Sequence, residues 1–574
     1  GCGGGILCTA GVSPTIRNCI ICGCHAVSDG SPPGFPDGCG GGIGIRDGAH
    51  PTIVNCRIEG NFADARAGGI FCSGHVPDTT PIKIINTVIA LNRGNDAYGA
   101  GGVTIWGSGL SKPCCVEMVN CTVTGNEAAD ASGGGIYVQF MGRLKIANSI
   151  VWGNMCASGY ADLEATNSTA VADVYNCCIN KDASGGNINY NGQNVFKDPQ
   201  MIAPMFGNCN LDYTSPCIDA GDNSLLPGGV TKDITGRDRI FDGDEDGTST
   251  VDIGAYEFAF VKVAAGQSIQ DGIDSARDGD TVLVFPGHYS EWSLDLRGKG
   301  VVVRGVGGAT AVTIDGGGNG PVFNLTSNEP RDAAIVGLTI SGGGNTDMGG
   351  GIRCFPASIV IKDCVISNNR AKVAGGGILV RNSAINESDV VIINCRIEDN
   401  KVNDVFNIAC GGGVAVLKGG IASIICCAVV RNEVGASNAG NGGGIYCRNN
   451  SHVELHNCLI ADNEAHNGSG GGLYAYKGAH IEVVNCTIAY NSSDFEPLSV
   501  CLDGASANLT NCIVWTDTGG KQISTGATVN FSCVEGGWTG GVGNIGANAG
   551  EEPRFVDPSS ENYHLLDGTK CKDA

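Results

Sequence analysis

Apolar residues recur along this chain at two fixed distances from a repeated Asn-Cys pair. Counting from the cysteine of the NCxI motif, the third residue before it is apolar at Ile16, Ile53, Met118, Ile361, Ile392, Leu455 and Val483. The second residue after it is apolar at Ile58, Val123, Ile397, Ile460 and Ile488. In one straight strand an odd and an even offset face opposite sides, so both sets can point inward only if the chain turns a corner between them. The pattern predicts two short strands joined by a bend at the Asn-Cys pair. Asn tolerates the left-handed backbone such a bend requires, and stacked Asn amides there can hydrogen-bond from coil to coil.

A second Asn follows the cysteine by five residues, as from Cys56 to Asn61, Cys121 to Asn126, Cys395 to Asn400 and Cys458 to Asn463. The last glycine of a GGG triplet precedes the cysteine position by 14 residues at Gly42, Gly135, Gly444 and Gly472. Self-similarity with a period near 30 residues signals a solenoid, and short β-branched runs between turn residues select strands. The later Asn supplies a second corner, and the glycines permit close approach of neighbouring coils. Three strands and three corners per repeat predict an all-β, right-handed parallel β-helix.

The 574 residues exceed what one hydrophobic core usually holds, about 250 to 300 residues. The repeats restart near residue 259, which predicts two tandem units. Residues 1–195 read as the first β-helix, incomplete at its start, and 196–258 as its tail with an acidic loop and VDIGAYEF. Residues 259–300 read as a short capping helix and the opening strands of the second unit. The second β-helix then spans 301–550, and 551–574 begin a second tail. Ile269, Ile273 and Ala276 share one helical face, suited to covering an open β-helix end. In the tails Phe555 answers Phe196 and Cys571 answers Cys217, so the chain reads as a window on a longer tandem array.

These motifs resemble a family. GGGI with NCxIxxN resembles the bacterial right-handed parallel β-helix repeat proteins of the pectate-lyase-like superfamily. SPCIDAGDN followed by VDIGAYEF is similar to the closing signature of the surface proteins called choice-of-anchor Q. The resemblance implies the fold, and a fold hosting lyases, hydrolases, adhesins and scaffolds fixes little about activity. Enzymes of that superfamily, by resemblance, hold Ca²⁺ with several carboxylates on one sheet and use a nearby Arg or Lys as base. No such set is visible along single strands here, where acids such as Asp363 and Glu454 stand alone. A carboxylate pair could still assemble across coils.

Composition narrows the partners. A net charge of −23 opposes nucleic acid and anionic lipid and suits cations such as Ca²⁺. No apolar run reaches the roughly 18 residues of a membrane span. Among 29 cysteines, Cys56, Cys121, Cys364, Cys395, Cys458, Cys486 and Cys512 form an inward file of small apolar residues. Cys39, Cys114, Cys115, Cys156, Cys209 and Cys410 fall in loops and are the better disulfide candidates. Two metal sites are candidates. In CIICGCH, Cys19, Cys22, Cys24 and His25 could hold a soft metal, and in DGDEDG, Asp242, Asp244 and Asp246 alternate before Gly247 as in half an EF-hand loop, which would take calcium.

The sequence alone thus favours a non-enzymatic, secreted or cell-surface β-helical protein that assembles with copies of itself, end to end, into a filament, sheath or surface layer. An adhesin or glycan binder of cell-surface polysaccharide is the second reading, using loops 25–39 and 401–412 with Phe35 and Phe406. A polysaccharide lyase or hydrolase is the third.

Overall fold

A computed structural model describes the chain except for residues 1, 29–37, 96–98, 108–111, 130–132, 405–407, 437–438, 547–550 and 573–574. Phe35 and Phe406 lie outside the described residues. Two compact units occupy residues 1–259 and 260–574.

In each unit, successive coils stack strand on strand in parallel. One sheet follows the glycines, as Ile43–Ile45, Ile70–Gly74 and Val103–Gly107. We call it the glycine sheet. A broad sheet precedes the Asn-Cys corner, as Ile82–Ile85, Cys114–Val119 and Gly142–Ala147. A third sheet follows the cysteine and a short fourth one follows the later Asn. The inward apolar file of the broad sheet is in register, with Ile53 on Ile84, Ile84 on Met118 and Met118 on Ile146.

The corner before the cysteine is left-handed as its chemistry requires. Asn55, Asn120, Asn457 and Asn485 have φ of 53°, 51°, 55° and 55°. The amide column, expected at this corner, forms at the later Asn, while the corner amides link in isolated pairs such as Asn511 Nδ2 to Asn485 Oδ1 at 3.1 Å. Corner side chains such as Asn457 and Asn485 point out, whereas Asn61, Asn92, Asn126 and Asn154 are fully buried. Each buried Nδ2 donates to Oδ1 of the next coil: Asn61 to Asn92 at 2.9 Å, Asn92 to Asn126 at 2.9 Å, and Asn126 to Asn154 at 2.8 Å. Asp162 receives the last of these at 2.7 Å. A second column links Asn369, Asn400, Asn432, Asn463 and Asn491. Satisfying each buried amide in this way avoids the desolvation cost of an orphaned polar group, about 1–3 kcal/mol. Glycine is needed beside the column because a Cβ on Gly413 would lie 2.7 Å from the Gly444 carbonyl oxygen.

The cysteine file is buried and joined by Cys177 and Cys427. Its thiols are not idle hydrophobes. Cys395 Sγ donates to the Ile393 carbonyl and accepts the Cys364 amide, and Cys427 repeats this one coil on. Burial pushes the Cys121 thiol up to about 12, so it stays protonated. Cys39, Cys114, Cys115, Cys156, Cys209 and Cys410 form no disulfide among the described residues, contrary to expectation; Cys114 faces the apolar core. The disulfide among the described residues joins Cys533 to Cys571.

The helix Ile269–Ser275 buries Ile269 and Ile273. Glu291 accepts the Ile269 amide at its start and Lys299 Nζ donates to the Ile273, Asp274 and Ala276 carbonyls at its end. The first tail lies along the corner Asn residues of its own unit. Arg239 and Glu257, both fully buried, pair at 2.7 Å, and Arg239 also donates to Asn86 Oδ1. These contacts give the Arg of GRDR and the Glu of VDIGAYEF a structural role.

Candidate functional site

The outward positions of the broad sheet fall at even distances before each cysteine, so parallel stacking converts one residue per coil into a continuous file. In the second unit Glu454 and Glu482 share one file and are register partners in adjacent coils. His452 and His480 share the next file, two residues earlier in each strand, and their rings stack at 5.3 Å and 10°. Each histidine reaches the glutamate of its own strand: His452 Nε2 lies 3.1 Å from Glu454 Oε1 and His480 Nε2 lies 3.5 Å from Glu482 Oε2. The next coil, strand Ser506–Thr510, fixes this set from one side. Asn508 Nδ2 donates to Glu482 Oε2 at 2.8 Å, and His480 Nδ1 lies 2.8 Å from Ser506 Oγ. All four side chains are half-buried against the sheet and open to solvent on one side.

Two carboxylates one strand spacing apart, about 4.8 Å between Cα atoms, and two imidazoles alongside can both take and give a proton. The sequence carried a signal for this set. HVELH and HIEVV place His and Glu at the same offsets from Cys458 and Cys486, and only the register shows that equal offsets mean adjacency.

The same face of the first unit carries charge. Lys83, Glu117, Lys145 and Asp173 form the corresponding file, with Lys145 3.3 Å from Glu117. Arg143, Lys145, Glu117, Asp173 and Asp78 line a groove of about 430 Å³ there.

The candidate metal ligands separate. Asp242 and Asp244 gather with Asp219, their oxygens within 4.8 Å of one another, and Asp246 is not in the group. It is the single such cluster among the described residues. Asp219 was missed because it lies in SPCIDAGD, away from the acidic loop. The oxygen-only donor set suits a hard cation, and Asp219 Oδ1 and Asp242 Oδ1 are both shielded from solvent and take no hydrogen bond. Cys19, Cys22, Cys24 and His25 are not brought together. Cys19 and Cys24 pack against the core, Cys22 is exposed, and His25 Nε2 lies 2.7 Å from Asp64.

Residues 310–549 match the family model described as "Right handed beta helix region". The chain is a right-handed parallel β-helix. No curated protein matches its sequence. Similar solved structures include the A-module of a mannuronan C-5 epimerase from Azotobacter vinelandii, at 10% identity over 86% of this chain and 90% of that one, with a TM-score of 0.24. A PL6-family alginate lyase is similar at 10% identity over 92% and 97%, with a TM-score of 0.25. At this identity the likeness is one of fold. The expectation of a non-enzymatic filament, sheath or surface-layer protein is corrected on the geometry of the broad sheet, where Glu454 and Glu482 are register partners, each beside its own histidine. That expectation rested on acids that look isolated in sequence, and the parallel register brings two of them side by side.

Proposed function

We propose that this β-helix acts enzymatically on a polysaccharide, at the open outer face of the second unit's broad sheet. The observation that carries the reading is the register pairing of Glu454 with Glu482, each with its own histidine. Glycosidic bond cleavage needs one group to protonate the leaving oxygen and another to attack or to activate water, and a pair of neighbouring carboxyl groups can fill both roles. Glu482, oriented by Asn508, is placed to attack. Glu454, with His452 Nε2 3.1 Å away, is placed to protonate. The sheet positions both without loops, which keeps the pair rigid.

An extracellular or cell-surface location is part of the proposal. It is supported by the Cys533–Cys571 disulfide and by the resemblance of SPCIDAGDN and VDIGAYEF to choice-of-anchor Q proteins.

The test is incubation with a panel of uronate-containing and neutral polysaccharides, following new reducing ends and the ultraviolet absorbance of unsaturated products. The expected result is depolymerisation that Glu482→Gln abolishes, with the absorbance separating elimination from hydrolysis. Intact polymers throughout the panel, or full activity in both Glu454→Gln and Glu482→Gln, would overturn the reading.

A further inference from the structure

On the outer face of the glycine sheet in the second unit, two arginines from adjacent coils stand together without an acid. Arg353 lies in strand Ile352–Cys354 and Arg381 ends strand Ile378–Arg381, with Arg353 in register with Leu379. Both guanidinium groups sit by one ring, 5.7 Å and 4.7 Å from the Phe355 centroid. Both Nε atoms are shielded from solvent and have no hydrogen-bond partner. An Arg381 terminal nitrogen reaches Met348 Sδ at 3.7 Å, a weak acceptor. Burial, and then the charge of Arg353, lower Arg381 from the usual guanidinium range.

Two like charges held together and partly desolvated are costly unless an anion lies between them. The chain carries 58 acidic residues, yet among the described residues neither arginine is paired with one. The motif also recurs along the axis. Arg381 is in register with Leu417, Leu417 with Arg448 and Arg448 with Tyr476, so a third arginine stands beside a second aromatic ring, 5.6 Å from its centroid. Arg381 and Arg448 are two coils apart, roughly 10 Å.

We propose that Arg353 and Arg381, seated on Phe355, form an oxyanion site that takes the carboxylate or sulfate of an acidic polysaccharide. A planar guanidinium fork matches such a group in two hydrogen bonds, and the aromatic ring beside it offers a face to the sugar. The proposal names an acidic polymer for the activity proposed above, and it rests on that reading for the source of the anion only.

The test is calorimetric titration and thermal melting of the whole chain with sodium sulfate, with a polyuronate and with a neutral polysaccharide. The expected result is a higher melting midpoint in sulfate and salt-sensitive polyuronate binding. Arg353→Met and Arg381→Met should each weaken that binding about tenfold or more. Their midpoints in anion-free buffer should be unchanged or raised, since a like charge is removed. Unaltered binding in both variants, or lower midpoints without anion, would overturn the site. Sulfate binding without polyuronate binding would overturn the acidic-sugar assignment. Cleavage of neutral polymers with no anion binding defeats this proposal and leaves the enzymatic reading; anion binding with no cleavage of any polymer does the reverse.

Discussion

Cys533, on the last strand of the third sheet in its unit, is bonded to Cys571 in the tail that follows. Cys178 and Cys217 hold the equivalent places in the first unit: Cys178 is on the last strand of the corresponding sheet, Cys217 is in the tail, and both are buried. The Cys217 thiol hydrogen-bonds Cys178 and, with burial, pushes it above the ordinary range. Exposure to a small-molecule disulfide should therefore convert these two thiols into a protein disulfide, releasing two thiols of the donor. Peptide mass mapping would show the Cys178–Cys217 link, and the oxidised unit should gain about 2–4 kcal/mol of stability. Finding both cysteines still alkylatable in the folded, oxidised protein would remove the equivalence.

The Glu454–Glu482 site predicts graded losses. Replacing Glu454 with Gln should lower turnover by about 10²–10⁴-fold, the usual contribution of a general acid, and replacing the attacking Glu482 should abolish it. Asn508→Ala should act through Glu482 and cost less, because it removes orientation and leaves the carboxylate in place. Steady-state rates on whichever polymer the chain cleaves check both, and an Asn508→Ala loss as large as that of Glu482→Gln would refute the assigned roles.

Asp162 predicts the pH dependence of the first unit. Burial pushes its carboxyl up to about 7, and burial does the same to Asp252. Between an unfolded value of about 4 and the folded value of about 7, the folded chain holds protons the unfolded chain has lost. Stability contributed by these groups is therefore present at low pH and falls as pH rises through that window, at about 1.4 kcal/mol per pH unit for each proton. Melting at about pH 5 should exceed melting at about pH 8. Asp162→Asn keeps the acceptor for Asn154 and should shrink that difference; an unchanged difference would show that Asp162 does not titrate there.

The Asp219, Asp242 and Asp244 cluster predicts a calcium response confined to its own residues. Millimolar Ca²⁺ should raise the melting midpoint of the wild type and of Asp246→Asn, and should leave Asp242→Asn unmoved. An equal shift in all three would mean diffuse screening of charge.

The coil was legible in the sequence because each of its corners has one demanding chemistry. Asn at positive φ, Asn within the amide column and glycine against a neighbouring backbone each restrict residue choice, so each leaves a repeated letter. The candidate site was not legible in the same way. Glu454 and Glu482 lie 28 residues apart in sequence, and solvent-facing strand positions tolerate nearly any residue, so the His-x-Glu they share recurs in just these two coils and its adjacency shows only in the register. Arg353 and Arg381 escaped for the same reason. Cys426 shows the opposite failure: it occupies the corner with φ 53° in place of Asn, so the true file member, Cys427, was hidden by its neighbour.

The amide column of the first unit has a direction. Every Asn in it passes a hydrogen bond toward the C-terminal end, and each needs both a donor and an acceptor to relay it. Asp162 accepts without an amide to hand on. Beyond it the chain rounds this corner through the short turn Lys181–Ala183, and the Asp162 amide donates to the Ala183 carbonyl. The column thus ends on an acceptor that comes from a different slot: Leu163 is in register with Ile136, so Asp162 stands where Gly135 stands one coil earlier and reaches back to Asn154.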